Sequence, residues 1–144
     1  MRQEKLQLQP LQNAVSSLTD ALATVADSTW FEQQQPRVQN TLIAGVIQNF
    51  EFVYEISTKM IKRQLELEAI SPEEVDQSSF RDILRTAAEK GLIDDVEAWF
   101  RYRLMRNITS HTYKHEKARQ VYEGTLVFIK DARALLQQLE ARNA

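Results

Sequence analysis

The chain has 144 residues, 43% hydrophobic and 26% charged, with a net charge of only −2. That is enough for one compact domain over residues 1–144, and it is the composition of a folded chain. Three glycines and three prolines are too few for the many turns of a β-sandwich or barrel, and the absence of cysteine excludes a disulfide framework, a thiol nucleophile and any cysteine-bearing zinc site.

Helical spacing runs nearly end to end. Leu8, Leu11, Val15, Leu18, Leu22 and Val25 predict a first helix over about residues 4–26, with Pro10 as a local disturbance. Asp27 to Gln35 reads as a connection closed by Pro36. The second and longest helix spans about 37–68 on a broad stripe that includes Val46, Phe50, Val53, Ser57, Ile61 and Leu65. A stripe this wide implies burial against more than one neighbour. Glu68 to Ser79 is an acidic loop containing Pro72.

Ser79 suits the N-cap of a short third helix with Asp82 at the capping-box position, and Gly91 suits its C′ residue. Asp94 or Asp95 caps a fourth helix carrying Val96, Trp99, Phe100 and Leu104, ending near Asn107. A fifth runs over about 114–141. The expected fold is all-α: an antiparallel four-helix bundle with one short additional helix, five helices in total.

The apolar runs are too short to span a bilayer, and Met1-Arg2-Gln3-Glu4-Lys5 is followed by no apolar block. A soluble cytoplasmic protein with no membrane partner is therefore expected. Gly45, Gly91 and Gly124 are too far apart to cradle a phosphate, and no Gly-Ser with paired aspartates follows, so nucleotide-driven chemistry within this chain is not expected.

The small net charge hides a split. Residues 101–119 hold six cations (Arg101, Arg103, Arg106, Lys114, Lys117 and Arg119) against the single acid Glu116, while residues 66–97 are rich in Asp and Glu. A basic segment on an acidic protein suggests an anion site. A solvated face paired with the acidic segment is the commoner meaning of such a run.

The same segment carries Arg106-Asn107-Ile108-Thr109-Ser110-His111-Thr112-Tyr113. On a continuous helix, positions 106 and 111 lie about 140° apart. A break at Thr109 or Ser110 would let both face one cleft. Metal-free RNA cleavage needs a base for the 2′-OH proton and a cation beside the phosphoryl oxygens. Histidine titrates near neutrality, and arginine forks onto phosphate. A nearby cation and a helix N-terminus both favour neutral imidazole. By spacing alone a plainer reading is the more common one: Arg106 capping its helix, His111 a satisfied junction histidine, Tyr113 packing. His115 reads as exposed, and Trp30 and Trp99 as packing residues. Two histidines without a third ligand give no metal site.

Arg106-Asn107-x3-His111-x-Tyr113 resembles the R-x4-6-H motif of HEPN domains, and in its full form that of the HepT-like branch, also described as nucleotidyltransferase substrate-binding proteins. Val46-Ile47-Gln48-Asn49-Phe50-Glu51-Phe52 resembles that branch's second-helix signature. Gly91-Leu92-Ile93-Asp94-Asp95 with Glu97-Ala98-Trp99 resembles its third-to-fourth helix segment. The resemblance covers about residues 8–140. It implies a homodimer whose Arg and His meet in a cleft between protomers, a metal-independent endoribonuclease without cofactor, and an RNA substrate. It further implies a toxin neutralised by an MntA-type nucleotidyltransferase antitoxin that adds AMP to the motif tyrosine. By position, Arg106 and His111 would be catalytic, Asn107 supporting, Tyr113 the acceptor, and Arg101, Arg103, Lys114 and Lys117 candidate RNA-binding residues. Met105 stands where the family often has an acid. The alternative is a non-catalytic substrate-binding subunit of a two-component nucleotidyltransferase. A plain helical scaffold is disfavoured by the concentration of Arg, Asn, His and Tyr at one junction.

Overall fold

The helical periodicity is realised with no strand among the described residues, 4–111 and 115–144; the side chains at 110, 111 and 115 stand outside that description. The computed structural model comprises α1 (Gln9–Ala26), α2 (Ser28–Glu32), α3 (Pro36–Glu68), α4 (Pro72–Gln77), α5 (Phe80–Glu89), α6 (Val96–His111) and α7 (His115–Arg142). The all-α class holds, but seven helices are described where five were expected.

Both extra helices lie in stretches read as connections. The Asp27 side chain accepts from the Trp30 N–H at 3.3 Å, which starts α2, and Phe31 plugs the core at 8% exposure. In α4, Pro72 occupies the first turn, where its missing N–H costs nothing. Glu73 and Glu74 there complement the helix dipole. Pro10 likewise falls in the first turn of α1. It starts the helix at Gln9 rather than disturbing one already begun.

The expected caps form. Ser79 accepts from the Asp82 N–H at 3.2 Å. At the end of α5 the Leu92 N–H reaches Ala87 O at 2.9 Å and the Gly91 N–H reaches Ala88 O at 3.1 Å. This is a Schellman closure, with Gly91 at φ 74°. Asp95, not Asp94, caps α6, accepting from the Glu97 and Ala98 N–H groups at 3.0 and 3.2 Å. Two reciprocal cation–π contacts clamp α5 to α6: Arg81 over Phe100 at 4.4 Å and Arg103 over Phe80 at 4.6 Å.

α3 is the central element, packed by α1, α5, α6 and α7. α1 runs opposite to α3 and α7. Ser17 meets Asn49 at 2.6 Å while Pro10 lies near Met60, and Leu6 meets Asn143 at 2.9 Å while Thr19 meets Arg133 at 2.8 Å. α3 and α7 run in the same direction, paired through Phe50–Phe128 and Gln64–Asn143. α6 runs against α7, with Tyr102 bonded to Asp131 and Met105 lying over Gly124. The core includes Leu11, Leu18, Val46, Phe50, Ile61, Leu84, Trp99, Phe128, Leu135 and Leu139. Trp99 packs as expected, whereas Trp30 is 39% exposed.

One end of the molecule is closed by polar groups. The Asn143 side chain accepts from the Leu6 N–H at 2.9 Å and donates to Gln64 at 2.8 Å. Arg142 donates to Glu68 at 3.0 and 3.1 Å and to Lys90 O at 2.7 Å.

Ser57 is fully buried, and its hydroxyl is the one buried side-chain polar atom without a hydrogen-bond partner among the described residues. A desolvated, unbonded hydroxyl opposes folding, and alanine is the better helix former. Urea denaturation of Ser57→Ala should therefore show stability unchanged or raised by up to about 1 kcal/mol; a loss of that size would reveal a bond to the hydroxyl. Gly91→Ala should lower stability by about 1 kcal/mol, the cost of a Cβ in the left-handed region.

Candidate functional site

The site grows out of the core through α6. Trp99 and Tyr102 are 1% and 2% exposed and pack edge-to-face with each other and with Phe128 of α7. The Tyr102 hydroxyl donates to Asp131. Burial first, and that bond second, raise the phenol well above its ordinary pKa. One turn further on the same face comes Arg106.

The preceding residue is seated too. A Cβ on Gly124 would lie 2.7 Å from Sδ and Cε of Met105, so the missing side chain of Gly124 is the space Met105 fills. α6 thus enters the site with position 105 committed to packing against α7.

Arg106 does not cap its own helix. Its Nε and Nη2 donate to Oε1 of Glu55 on α3 at 3.1 and 2.7 Å. Oε2 of Glu51, one turn earlier on α3, lies 3.9 Å from Nη1. The Arg106 side chain is 25% exposed, so the pair sits at the protein surface but not fully in water. The Glu55 hydrogen bond raises the Arg106 pKa against an opposing desolvation, and the Glu51 charge adds to the rise. Tyr54, between these acids in sequence, is 7% exposed. Burial raises its phenol pKa, and the charges of Arg103 and then Arg106 pull it down by less.

α6 does not end near Asn107, nor does it break at Thr109 or Ser110. It continues through His111. The Thr109 hydroxyl donates back to Arg106 O at 2.8 Å, satisfying itself inside the helix instead of breaking it. A helix break is therefore not what would bring Arg106 and His111 to one cleft. His111 is described through its backbone only, and Tyr113 and Lys114 lie outside the described residues.

The remaining candidates are dispersed. Asn107 is exposed on α6. Arg101 reaches Asp95 at 4.0 Å, a weak pairing with the acidic segment. Arg103 lies over Phe80, and Lys117 is exposed on α7. What the structure brings together is Arg106 with Glu51 and Glu55, beside Tyr54 and within the field of Arg103. Neither acid was singled out from sequence as a site residue. Their spacing of four, on a helix otherwise defined by its apolar stripe, was the available signal. Among the described residues no group of three His, Cys, Asp or Glu side chains is placed to hold a metal ion, and no helix is long and apolar enough to cross a membrane.

Comparison with known proteins agrees with this architecture. The family described as nucleotidyltransferase substrate binding protein like matches residues 6–141. A protein of Haemophilus influenzae named "Probable ribonuclease HepT" is 49% identical over 143 residues, covering 99% of this chain and 98% of that relative. A solved structure from Haemophilus influenzae, described as revealing the fold of a substrate binding domain of a nucleotidyltransferase, superposes with a TM-score of 0.90 at 48% identity. That match covers 93% of this chain and 99% of the other. An all-helical chain matched from residue 6 to residue 141, with nearly half its residues shared with a HepT relative, belongs to the HepT-like family of nucleotidyltransferase substrate-binding-like proteins.

Proposed function

We propose that this chain is the HepT-like toxin of a toxin–antitoxin pair: a metal-independent ribonuclease that uses Arg106 and His111 in a homodimer cleft, restrained by a nucleotidyltransferase that places AMP on Tyr113. Its fold in this reading is a four-helix bundle of α1, α3, α6 and α7, and its location the cytoplasm. The observation that carries the reading is Arg106 itself. A guanidinium one turn beyond the buried core, held by an acid from another helix, is a pre-ordered phosphate ligand rather than a surface charge. The ribonuclease name of the 49% identical relative supports the same chemistry.

In the reaction, His111 takes the proton of the ribose 2′-OH. The freed oxygen attacks the adjacent phosphorus, the P–O5′ bond breaks, and the departing 5′-oxygen takes up the proton that His111 had accepted, leaving a 2′,3′-cyclic phosphate. Arg106 meets the negative charge that builds on the phosphoryl oxygens. Asn107, one residue on, supports the phosphate, and Arg101, Arg103, Lys114 and Lys117 draw in the RNA backbone. Positions 106 and 111 on an unbroken helix lie about 140° apart. This favours a cleft completed by a second protomer, where one copy's arginine serves alongside the other's histidine. AMP on Tyr113, two residues from the base, would fill that cleft and place a phosphate against its cations.

A second reading is favoured by one observation: the similar solved structure is described as a substrate-binding fold of a nucleotidyltransferase. In it the same residues bind without cleaving.

RNA cleavage by the purified protein in EDTA, with intact mass recorded, separates the two. Cleavage should persist in EDTA and fall by about 100-fold or more in both His111→Ala and Arg106→Ala. Light scattering should give twice the chain mass. An inert protein with unmodified Tyr113 would select the second reading.

A further inference from the structure

The proposed function takes Arg106 as held by an acid from α3 but does not distinguish the two carboxylates that face it, and their geometries differ. Glu55 Oε1 receives both Nε–H and one Nη2–H, at 3.1 and 2.7 Å. Those two protons form one edge of the guanidinium. The group has five N–H donors, so one on Nη2 and two on Nη1 remain beyond the Glu55 bonds. The Nη1–Nη2 end of the fork is the edge a phosphate would take with two parallel bonds. Glu55 leaves that edge open and need not move when a phosphate arrives. Glu51 is elsewhere: its Oε2 is 3.9 Å from Nη1, too far for a hydrogen bond but beside the edge left open.

We propose that these two acids act on Arg106 in opposite senses: Glu55 is a positioning residue that fixes the guanidinium plane with one edge turned outward, and Glu51 is a screening charge that weakens phosphate capture at that edge. This rests on the reading of Arg106 as the ligand of an RNA phosphate. Arginine carries substantial rotamer freedom, and a fork already held spends less order on binding. A carboxylate that lies near without bonding supplies no such order. It only opposes a second anion.

The arrangement differs from a pair of acids that merely closes the α3–α6 packing. Both side chains are partly exposed, Glu51 at 27% and Glu55 at 45%. Removing either takes away the same single charge, so long-range electrostatics cancels when the two variants are compared. What remains is the hold on the guanidinium.

Glu55→Gln and Glu51→Gln test this in the full-length protein, with three readouts. Turnover on a single-stranded RNA oligonucleotide should fall about tenfold in kcat for Glu55→Gln, while Glu51→Gln should lower KM about threefold with kcat unchanged. Affinity for the same oligonucleotide with 2′-O-methyl sugars, which has no free 2′-OH to react, should weaken for Glu55→Gln and tighten for Glu51→Gln. In 15N NMR the Arg106 Nε–H should exchange slowly with water in the wild type and in Glu51→Gln, and rapidly in Glu55→Gln. Affinity shifts of the same sign, no binding by the wild type, or a rapidly exchanging Arg106 Nε–H in the wild type would each overturn the proposal. A wild type that binds the methylated RNA with opposite-signed shifts but cleaves nothing would sink the ribonuclease reading and leave the two roles standing.

Discussion

Five aromatic rings decide where everything else in this molecule can be. Phe50 and Tyr54 from α3, Trp99 and Tyr102 from α6 and Phe128 from α7 interlock, with Phe128 4.9 Å from Phe50 and 4.8 Å from Tyr102 between ring centres. Burying a side chain of this size is worth about 1.5–3 kcal/mol. A partly exposed ion pair is worth about 1 kcal/mol or less. The rings therefore set the height and rotation of α6, and the meeting of Arg106 with Glu55 follows from that setting. Glu55 adjoins Tyr54 on α3, and Arg106 stands one turn past Tyr102 on α6. The site is an outgrowth of the core at both of its ends.

The long helices were legible because burial leaves a period in the sequence. The stripe of α3, from Ile43 through Phe50 and Ile61 to Leu65, is buried at the positions it marks. Gly91 and Ser79 were legible because their local chemistry admits few other uses. α2 and α4 were missed because five or six residues are too few to show a period. Ser71-Pro72-Glu73-Glu74 nevertheless carries the marks of a helix start. The end of α6 is not legible from sequence because Thr and Ser serve equally as helix breakers and as residues that bond back into a helix. Thr109 does the second.

Arg106 stood out because polar residues are dense around it. Its partners did not, since Glu55 is 51 positions away in the chain and an acid on a partly exposed helix face looks like any solvated charge. Only the packing of the α3 and α6 rings on Phe128 of α7, which is a tertiary fact, joins them. Position 105 shows the same dependence. The resemblance drawn from sequence leads one to expect an acid beside the arginine, and here the residue is Met105, whose sulfur fills the space over Gly124. With that position given to packing, the negative partners of Arg106 come from a different helix.

Supplying the acid from a neighbouring helix changes what the arginine responds to. An acid at position 105 would travel with Arg106 as one rigid piece, indifferent to the rest of the fold. Glu51 and Glu55 belong to α3, a 33-residue rod whose other end is tied through Gln64 and Glu68 to Asn143 and Arg142. The Arg106 pairing therefore depends on the register of α3 against α6, as a pairing with an acid at position 105 would not. The tied end of α3 stands some 20 Å from Glu55, at about 1.5 Å of helix per residue, so the acid that holds the guanidinium and the polar closure of the molecule are two points on one helix.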